Sequence, residues 1–364
     1  MVWIIILLLV LISLVLGIIY LTGSIGKFGL IEKASGGKKY RRRIISLGIV
    51  TLFMALFTCI FSFVNAVIIL LHFVIFRLLF GLIIRIVKKI TKKDFHVYWE
   101  GWATIVCCLI YLTIGYILCN NVWMTKYTLK TDKNLGGLRI ALFADSHLGT
   151  TFDAEGLSVY IDEMMEQNPD ILFIAGDMID DGTSREDMIE CCMILGEVDV
   201  KYGVWFIFGN HDRGYYRDKD AYTEEDIVNE LKKNGVHVMS DDVELIDDRF
   251  YVVGREDRSV RDRKPVNELV QNLDKSKYII VLDHQPADYD AEAAAGSDLV
   301  LSGHTHGGQL FPVTYVGEIF HINDATYGYQ KRKDSEFIVT SGISDWEIQF
   351  KTGTKSEYVI IDVE

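Results

Sequence analysis

The chain is poor in cysteine, and no cysteine is placed to do chemistry. Six occur in 364 residues. Cys59, Cys107, Cys108 and Cys119 lie in apolar stretches, Cys191 and Cys192 are adjacent, and no Cys-x-x-Cys pair exists. Neither a disulfide framework nor a structural zinc site is indicated, and all six read as small apolar filler. Residues 1–4 carry no Lys or Arg. A cleavable signal peptide needs a basic start and a small-residue end, so the apolar run 3–21, long enough to cross a bilayer, reads as a retained anchor. Acidic residues are scarce in the first third. Residues 1–123 hold 3 Asp+Glu against 13 Lys+Arg, which leaves 47 acidic and 24 basic residues in 124–364. The formal net charge of −13 therefore joins a basic membrane region to an acidic soluble one. An acidic domain repels polyanions over a Debye length, so no nucleic acid partner is expected, although a metal site can still attract one phosphate.

A second apolar stretch, Ile44 to Ile86, would be about 60 Å long as one helix, twice the hydrocarbon thickness. It is expected to form two helices with a turn near Asn65. A fourth is expected from Gly101 to Trp123. Loop 22–43 carries Lys27, Lys33, Lys38, Lys39, Arg41, Arg42 and Arg43, and loop 85–98 carries Arg85, Lys88, Lys89, Lys92 and Lys93. Basic loops stay in the cytoplasm, and both can do so only if an even number of crossings separates them. The prediction is a multi-pass protein of the cell membrane with its N-terminus and soluble domain outside, testable by labelling at Ser335 and Ser35. The opposite topology would put about a dozen basic residues outside. Within the third helix Arg77 is expected to snorkel to the inner interface, and His72 accompanies it. His96, beside Tyr98 and Trp99, is placed at the membrane interface. The expected division is a membrane region 1–123, a linker 124–137 and a catalytic domain 138–364.

From Leu138 short β-rich runs alternate with helical periodicity over Leu157–Gln167 and Asp187–Leu195. Five expected strands end in polar clusters. These are Leu138–Ala144 before Asp145-Ser146-His147, Asp170–Ala175 before Gly176-Asp177, and Gly203–Phe208 before Gly209-Asn210-His211-Asp212. The other two are Tyr278–Leu282 before Asp283-His284 and Asp298–Leu301 before Gly303-His304-Thr305-His306. Sites in such sheets form at the carboxyl ends of strands, so the clusters should converge. Carboxylate, imidazole and amide oxygen together suit Mn²⁺, Zn²⁺ or Fe. Glycines before Asp177, Asn210 and His304 allow sharp turns, and an extended His304-x-His306 would point both rings to one face.

The ordered set Asp-x-His, Gly-Asp, Gly-Asn-His-Asp, His and Gly-His-x-His resembles the calcineurin-like metallophosphoesterase superfamily. The flanks Asn-Pro-Asp-Ile-Leu-Phe-Ile-Ala-Gly-Asp (168–177) and Gly-His-Thr-His-Gly-Gly-Gln-Leu (303–310) resemble its bacterial membrane-associated YkuE-like branch, which includes phospholipid-type phosphodiesterases and UDP-diacylglucosamine hydrolases. The likeness covers roughly residues 138–363. It departs at Lys355-Ser356-Glu357, where the family often has Pro-Glu.

The resemblance implies an α/β fold, a four-layer αββα sandwich of two mixed sheets, behind the transmembrane region. It implies two divalent ions, Mn²⁺ or Zn²⁺ with Fe as a further candidate. Asp145, His147, Asp177 and His306 would hold the first. Asp177, Asn210, His284 and His304 would hold the second, with Asp177 bridging. His211 would protonate the leaving oxygen, and Asp212 would orient His211. The implied reaction is hydrolysis of phosphodiester or pyrophosphate bonds by a hydroxide shared between the ions. The expected substrates are lipids or lipid-linked phosphates at the membrane. Soluble nucleotides or wall polymers are the enzymatic alternative, and a catalytically silent, metal-stabilised membrane sensor or scaffold is the non-enzymatic one. His237 and His321 match no motif and read as surface or turn residues. The run Arg255, Arg258, Arg261, Arg263 and Lys264 reads as solvated surface or as a clamp for a headgroup phosphate.

Overall fold

The computed structural model describes residues 2–214 and 221–364. Its first part contains α1 (Val2–Ile25), a short α2 (Gly29–Ala34), α3 (Lys39–Ile60), α4 (Phe63–Thr91) and α5 (Trp99–Asn120). Among the described residues four segments are long and apolar enough to cross a membrane: Leu8–Ile25, Lys39–Ile60, Phe63–Thr91 and Trp99–Asn120. The long apolar stretch is indeed two helices. Its turn lies at Phe61-Ser62 rather than at Asn65, because Ser62 Oγ accepts a hydrogen bond from Asn65 N at 3.1 Å and so caps α4. The fourth helix stops at Asn120, and Trp123 already belongs to a strand.

Two compact units divide the chain: Met1–Tyr116 with Glu347–Gln349, and Ile117–Trp346 with Phe350–Glu364. In the first, Arg77 does not snorkel. It is buried, donates from Nε to Ser24 Oγ (2.8 Å) and Tyr98 OH (2.7 Å), and lies 3.6 Å from Glu100. An arginine at mid-membrane costs about 2.5–3.5 kcal/mol even on insertion scales, so three polar partners within the bundle offset what solvent would otherwise supply. His72 is buried with Nδ1 2.8 Å from Ile68 O.

The second unit carries two six-stranded mixed sheets. The first has the order β1 (Val122–Leu129), β12 (Ser356–Val363), β2 (Leu138–Phe143), β3 (Ile171–Ala175), β4 (Val204–Ile207), β5 (His237–Met239). The second runs β10 (Gly328–Arg332), β11 (Ser335–Val339), β9 (Leu299–Ser302), β8 (Tyr278–Leu282), β7 (Phe250–Gly254), β6 (Asp242–Ile246). Strand alternation sorts the side chains into layers. Ile140, Leu142, Phe173 and Ala175 meet Val252, Ile280, Leu282 and Leu301 in one core. The other face of the first sheet presents Ala141, Phe143, Leu172 and Ile174 to α6 (Ala154–Met165), α7 (Arg185–Gly196) and α8 (Glu224–Lys233). The outer face of the second sheet packs Ile279, Val281 and Val300 against α9 (Val266–Val270) and α10 (Tyr289–Ala295). This is the αββα arrangement expected.

The segment 124–137, expected to be a linker, contains most of β1. That strand pairs in parallel with β12 from Val122↔Ser356 to Leu129↔Val363. Its alternation of exposed and half-buried residues is too weak to read as a strand without the partner, which lies more than two hundred residues away in sequence.

Candidate metal centre

The site is assembled from strand ends. Asp145 and His147 follow β2, Asp177 follows β3, and Asn210 follows β4; His284 follows β8, and His304 and His306 follow β9. β2, β3 and β4 are mutually parallel, as are β8 and β9, so their carboxyl ends point the same way. The turns after them are unusual for non-glycine residues: φ is +58° at Asp145, +38° at His147, +52° at Asp177, +72° at His304 and +47° at His306. Left-handed backbone at side-chain-bearing residues costs energy and persists only where surroundings enforce it. The enforcing bonds are present. Asp145 N donates to Gly176 O (3.0 Å), His147 N to Asp177 O (3.1 Å), and His304 N to both oxygens of Asp145 (3.0 and 2.9 Å). The expectation that an extended His304-x-His306 shares one face is overturned. β9 ends at Ser302, and the two rings join different groups.

Asp145, His147 and His306 form one cluster of potential ligand atoms, and Asp177, His284 and His304 another, each within 4.8 Å. Asp177 belongs to both neighbourhoods. Its Oδ2 lies 3.1 Å from His284 Nε2 and 3.8 Å from His147 Nε2, while its Oδ1 accepts from His211 N at 2.7 Å. Three observations fit metal ions. Asn210 Oδ1 is buried with no hydrogen-bond partner, and such a group requires an explanation. His147 Nε2 and His306 Nε2 face each other at 3.2 Å, close enough for one ring to donate to the other or for both to ligate one cation. His284 Nδ1 sits 2.7 Å from Ala175 O, which fixes the tautomer that leaves Nε2 free to ligate.

The electrostatics divide the imidazoles: burial acts downward on His284, but the charge and hydrogen bond of Asp177 and the charge of Asp145 outweigh it and hold His284 well above its ordinary pKa. Burial lowers the pKa of His304 to about 4, with the His284 charge adding to it, and pushes His306 well down; neutral imidazole is the ligating form. Burial raises Asp145 to about 6, with the Asp177 charge adding. Burial acts upward on Asp177 too, but His284, His147 and His211 outweigh it and hold this carboxyl well below the usual range.

The structure reassigns the partner of His211. Asp180 Oδ1 lies 3.0 Å from His211 Nδ1, and Asp180 Oδ2 lies 3.3 Å from His147 Nδ1. Asp212, expected to orient His211, instead accepts from the amides of Asp177 (2.8 Å), Gly209 (2.7 Å) and Ile179 (3.0 Å). It clamps the β3 and β4 loops together. Burial alone would lower the His211 pKa; the Asp180 hydrogen bond and the charges of Asp177, Asp180 and Asp212 more than reverse this, so the net shift is upward. Sequence reading missed Asp180, although it stands three residues after Asp177 in the same strand-end loop. It also missed Trp346, whose ring centroid lies 5.3 Å from that of His211 and which no motif marks. Of the basic run, Arg255 pairs with Asp283, Asp288 and Glu292, and Arg263 with Asp283, so neither is free to clamp a phosphate. His237 stacks on Trp205 at 4.0 Å, away from the ligands, and His321 lies in a turn.

A calcineurin-like phosphoesterase family model matches residues 138–308. A metallophosphoesterase of Aquifex aeolicus is 31% identical over 200 residues, covering 52% of this chain and 72% of that one. The chain belongs to the calcineurin-like metallophosphoesterase family. A transmembrane protein with metallophosphoesterase domain from Danio rerio is 31% identical over 240 residues, 63% of this chain and 53% of that protein. The metallophosphoesterase YkuE of Bacillus subtilis is 26% identical over 201 residues, 54% of this chain and 68% of its own length. The chain thus spans about half the length of the Danio rerio relative. Its two clusters of Asp and His form a candidate two-metal site, and among the described residues four long apolar helices are candidate membrane spans.

The closeness of the β3 and β4 loops makes one substitution diagnostic. A Cβ at Gly209 would overlap Asp177 Oδ1 and lie 2.5 Å from Asp177 N. Gly209→Ala is expected to destabilise the unit by about 1–3 kcal/mol through overpacking and to lower metal content. Thermal unfolding and elemental analysis check this, and a variant matching wild type in both would mean the two loops can separate freely.

Proposed function

We propose that this metallophosphoesterase hydrolyses phosphodiester or pyrophosphate bonds of lipid or lipid-linked substrates on the outer side of the cell membrane. The observation that carries the chemistry is the pair of ligand clusters joined through Asp177. Asp145, His147, Asp177 and His306 would hold one ion, and Asp177, Asn210, His284 and His304 the other, with Mn²⁺ or Zn²⁺ as the ions. When bound, two such ions supply an activated water and neutralise charge on the phosphoryl oxygens. The residues of the chain do the rest. Asp212 holds the Asp177 and Asn210 loops in register. Asp180 holds His211 Nδ1, so the proton on His211 Nε2 is the one available to a leaving oxygen, and Trp346 shields that ring from one side. Hydrolysis of a chromogenic bis-phosphodiester by the full-length protein, with two ions per chain by elemental analysis, tests the assignment; a metal-free active protein would refute it.

Membrane context supports the substrate class. α5 ends at Asn120 and β1 begins at Val122, so one residue separates an apolar helix from the first strand of the sheet. The orientation rests on the basic loops 22–43 and 85–98. Ser335 and Ser35 are both buried, so neither can report it. Lys232 and Lys38 are exposed and take their place. In a cysteine-free background on intact cells, a membrane-impermeant thiol reagent is expected to label Lys232→Cys and not Lys38→Cys. Labelling of Lys38→Cys alone would invert the topology and make a cytoplasmic substrate the better reading.

A further inference from the structure

One residue after the Gly-His-Thr-His-Gly-Gly-Gln loop, past Leu310, the chain reads Phe-Pro-Val-Thr-Tyr-Val-Gly-Glu-Ile-Phe-His-Ile over residues 311–322. Phe311, Val313, Tyr315, Val316, Ile319, Phe320 and Ile322 are all exposed, Ile319 by 68% and Phe320 by 69%. Single exposed hydrophobics are ordinary, but seven within twelve residues are not. Glu318 is the one Asp, Glu, Lys or Arg among them, in a unit otherwise rich in acid.

The segment is firmly held at both ends. Phe311 N donates to Thr352 Oγ1 (2.9 Å), and Gln309 Nε2 donates to Phe350 O (3.0 Å). At the far end Ile322 N donates to Gly317 O (2.8 Å) and Asp324 N to Pro286 O (2.7 Å). In the middle Thr314 packs so closely on Gly308 that a Cβ there would collide with it. The anchor points thus flank His306 on one side and His284 on the other. The fold spends backbone hydrogen bonds to hold apolar side chains outward beside the metal centre.

We infer that residues 311–322 are a bilayer-docking element that seats Phe311, Ile319 and Phe320 among lipid acyl chains. Three features select a bilayer as the occupant. A membrane span leads into this unit with one residue between α5 and β1. The mix of Phe, Tyr and aliphatic residues is that of interfacial anchors. Arg258, exposed and donating to Ile322 O at 3.1 Å, sets a cation at the edge of the patch, where an anionic headgroup would lie. The inference rests on the lipid-substrate reading and deepens it: docking here would bring a membrane phosphoester to the ligands His284, His304 and His306 without extracting the lipid.

The test uses full-length, cysteine-free protein with an environment-sensitive fluorophore on Phe320→Cys, reconstituted into phosphatidylcholine–phosphatidylglycerol vesicles. Lys232→Cys serves as the exposed control, and Ile319→Cys repeats the measurement should Phe320→Cys misfold. The expected result is blue-shifted emission at positions 319 and 320, quenched about twofold by lipid carrying a doxyl group on its acyl chain, with position 232 unaffected. Probes at 319 and 320 as solvent-exposed as at 232 would overturn the inference. Blue shift without doxyl quenching would also overturn it, because a second copy of the chain would then be the occupant. The readout needs no turnover, so quenching without hydrolysis of any membrane lipid would uphold docking while removing the lipid-substrate reading.

Discussion

Asp177→Asn is expected to lower hydrolysis of a chromogenic bis-phosphodiester by about 10³-fold or more and to reduce metal content further than any other single ligand change. The reason is geometric. Asp145, His147 and His306 belong to one cluster, and His284 and His304 to the other, whereas Asp177 Oδ2 faces an imidazole of each at 3.1 and 3.8 Å. The amide keeps the shape and the Oδ1 contact with His211 N but loses the charge that balances two cations. His304→Ala, by contrast, should empty one position and leave the Asp145 cluster intact. Elemental analysis beside rate measurement separates the cases. Two ions per chain and wild-type turnover in Asp177→Asn would remove the bridging role.

His211→Ala is expected to keep both ions and lose about 10²–10⁴-fold in turnover, with the larger loss on substrates whose leaving group is poor. Asp180→Asn probes the same proton through pH. The Asp180 carboxylate raises the His211 pKa against the opposing effect of burial, and the protonated ring is the acid. That form is present below the raised pKa and disappears as pH rises through it. Without the carboxylate it disappears at lower pH, so the alkaline limb of the rate profile should move down. Asp180 also approaches His147, so metal content is measured alongside. An unmoved limb in a fully metallated Asp180→Asn protein would show that Asp180 does not set the acid. Asp212→Asn should behave differently. It weakens three backbone clamps and is expected to act mainly on stability and metal retention.

The long apolar helices, the strand-end motifs and the order of the clustered Asp and His residues were legible in the sequence because each is written in neighbouring residues. Apolar runs of bilayer length need no partner to be recognised. The turn chemistry that ends β3 in Gly176-Asp177 and β4 in Gly209-Asn210 is likewise local, and so are the continuous apolar runs of β3 and β8, which are buried on both faces.

What only the tertiary structure decided are the partners of polar groups. Asp212 is next to His211 in sequence, yet its carboxylate turns to the amides of Asp177, Gly209 and Ile179, and Asp180 from another strand end takes the imidazole. Adjacent side chains on a tight turn diverge, while residues from parallel neighbouring strands converge, and no linear spacing encodes that. Arg77 reads as a snorkelling residue until Ser24, Tyr98 and Glu100, from other parts of the bundle, are seen around it. β1 reads as a linker until β12 lies alongside. In each case a hydrogen bond's value depends on a distance of about 3 Å, and that distance is set by the packing of segments far apart in the chain.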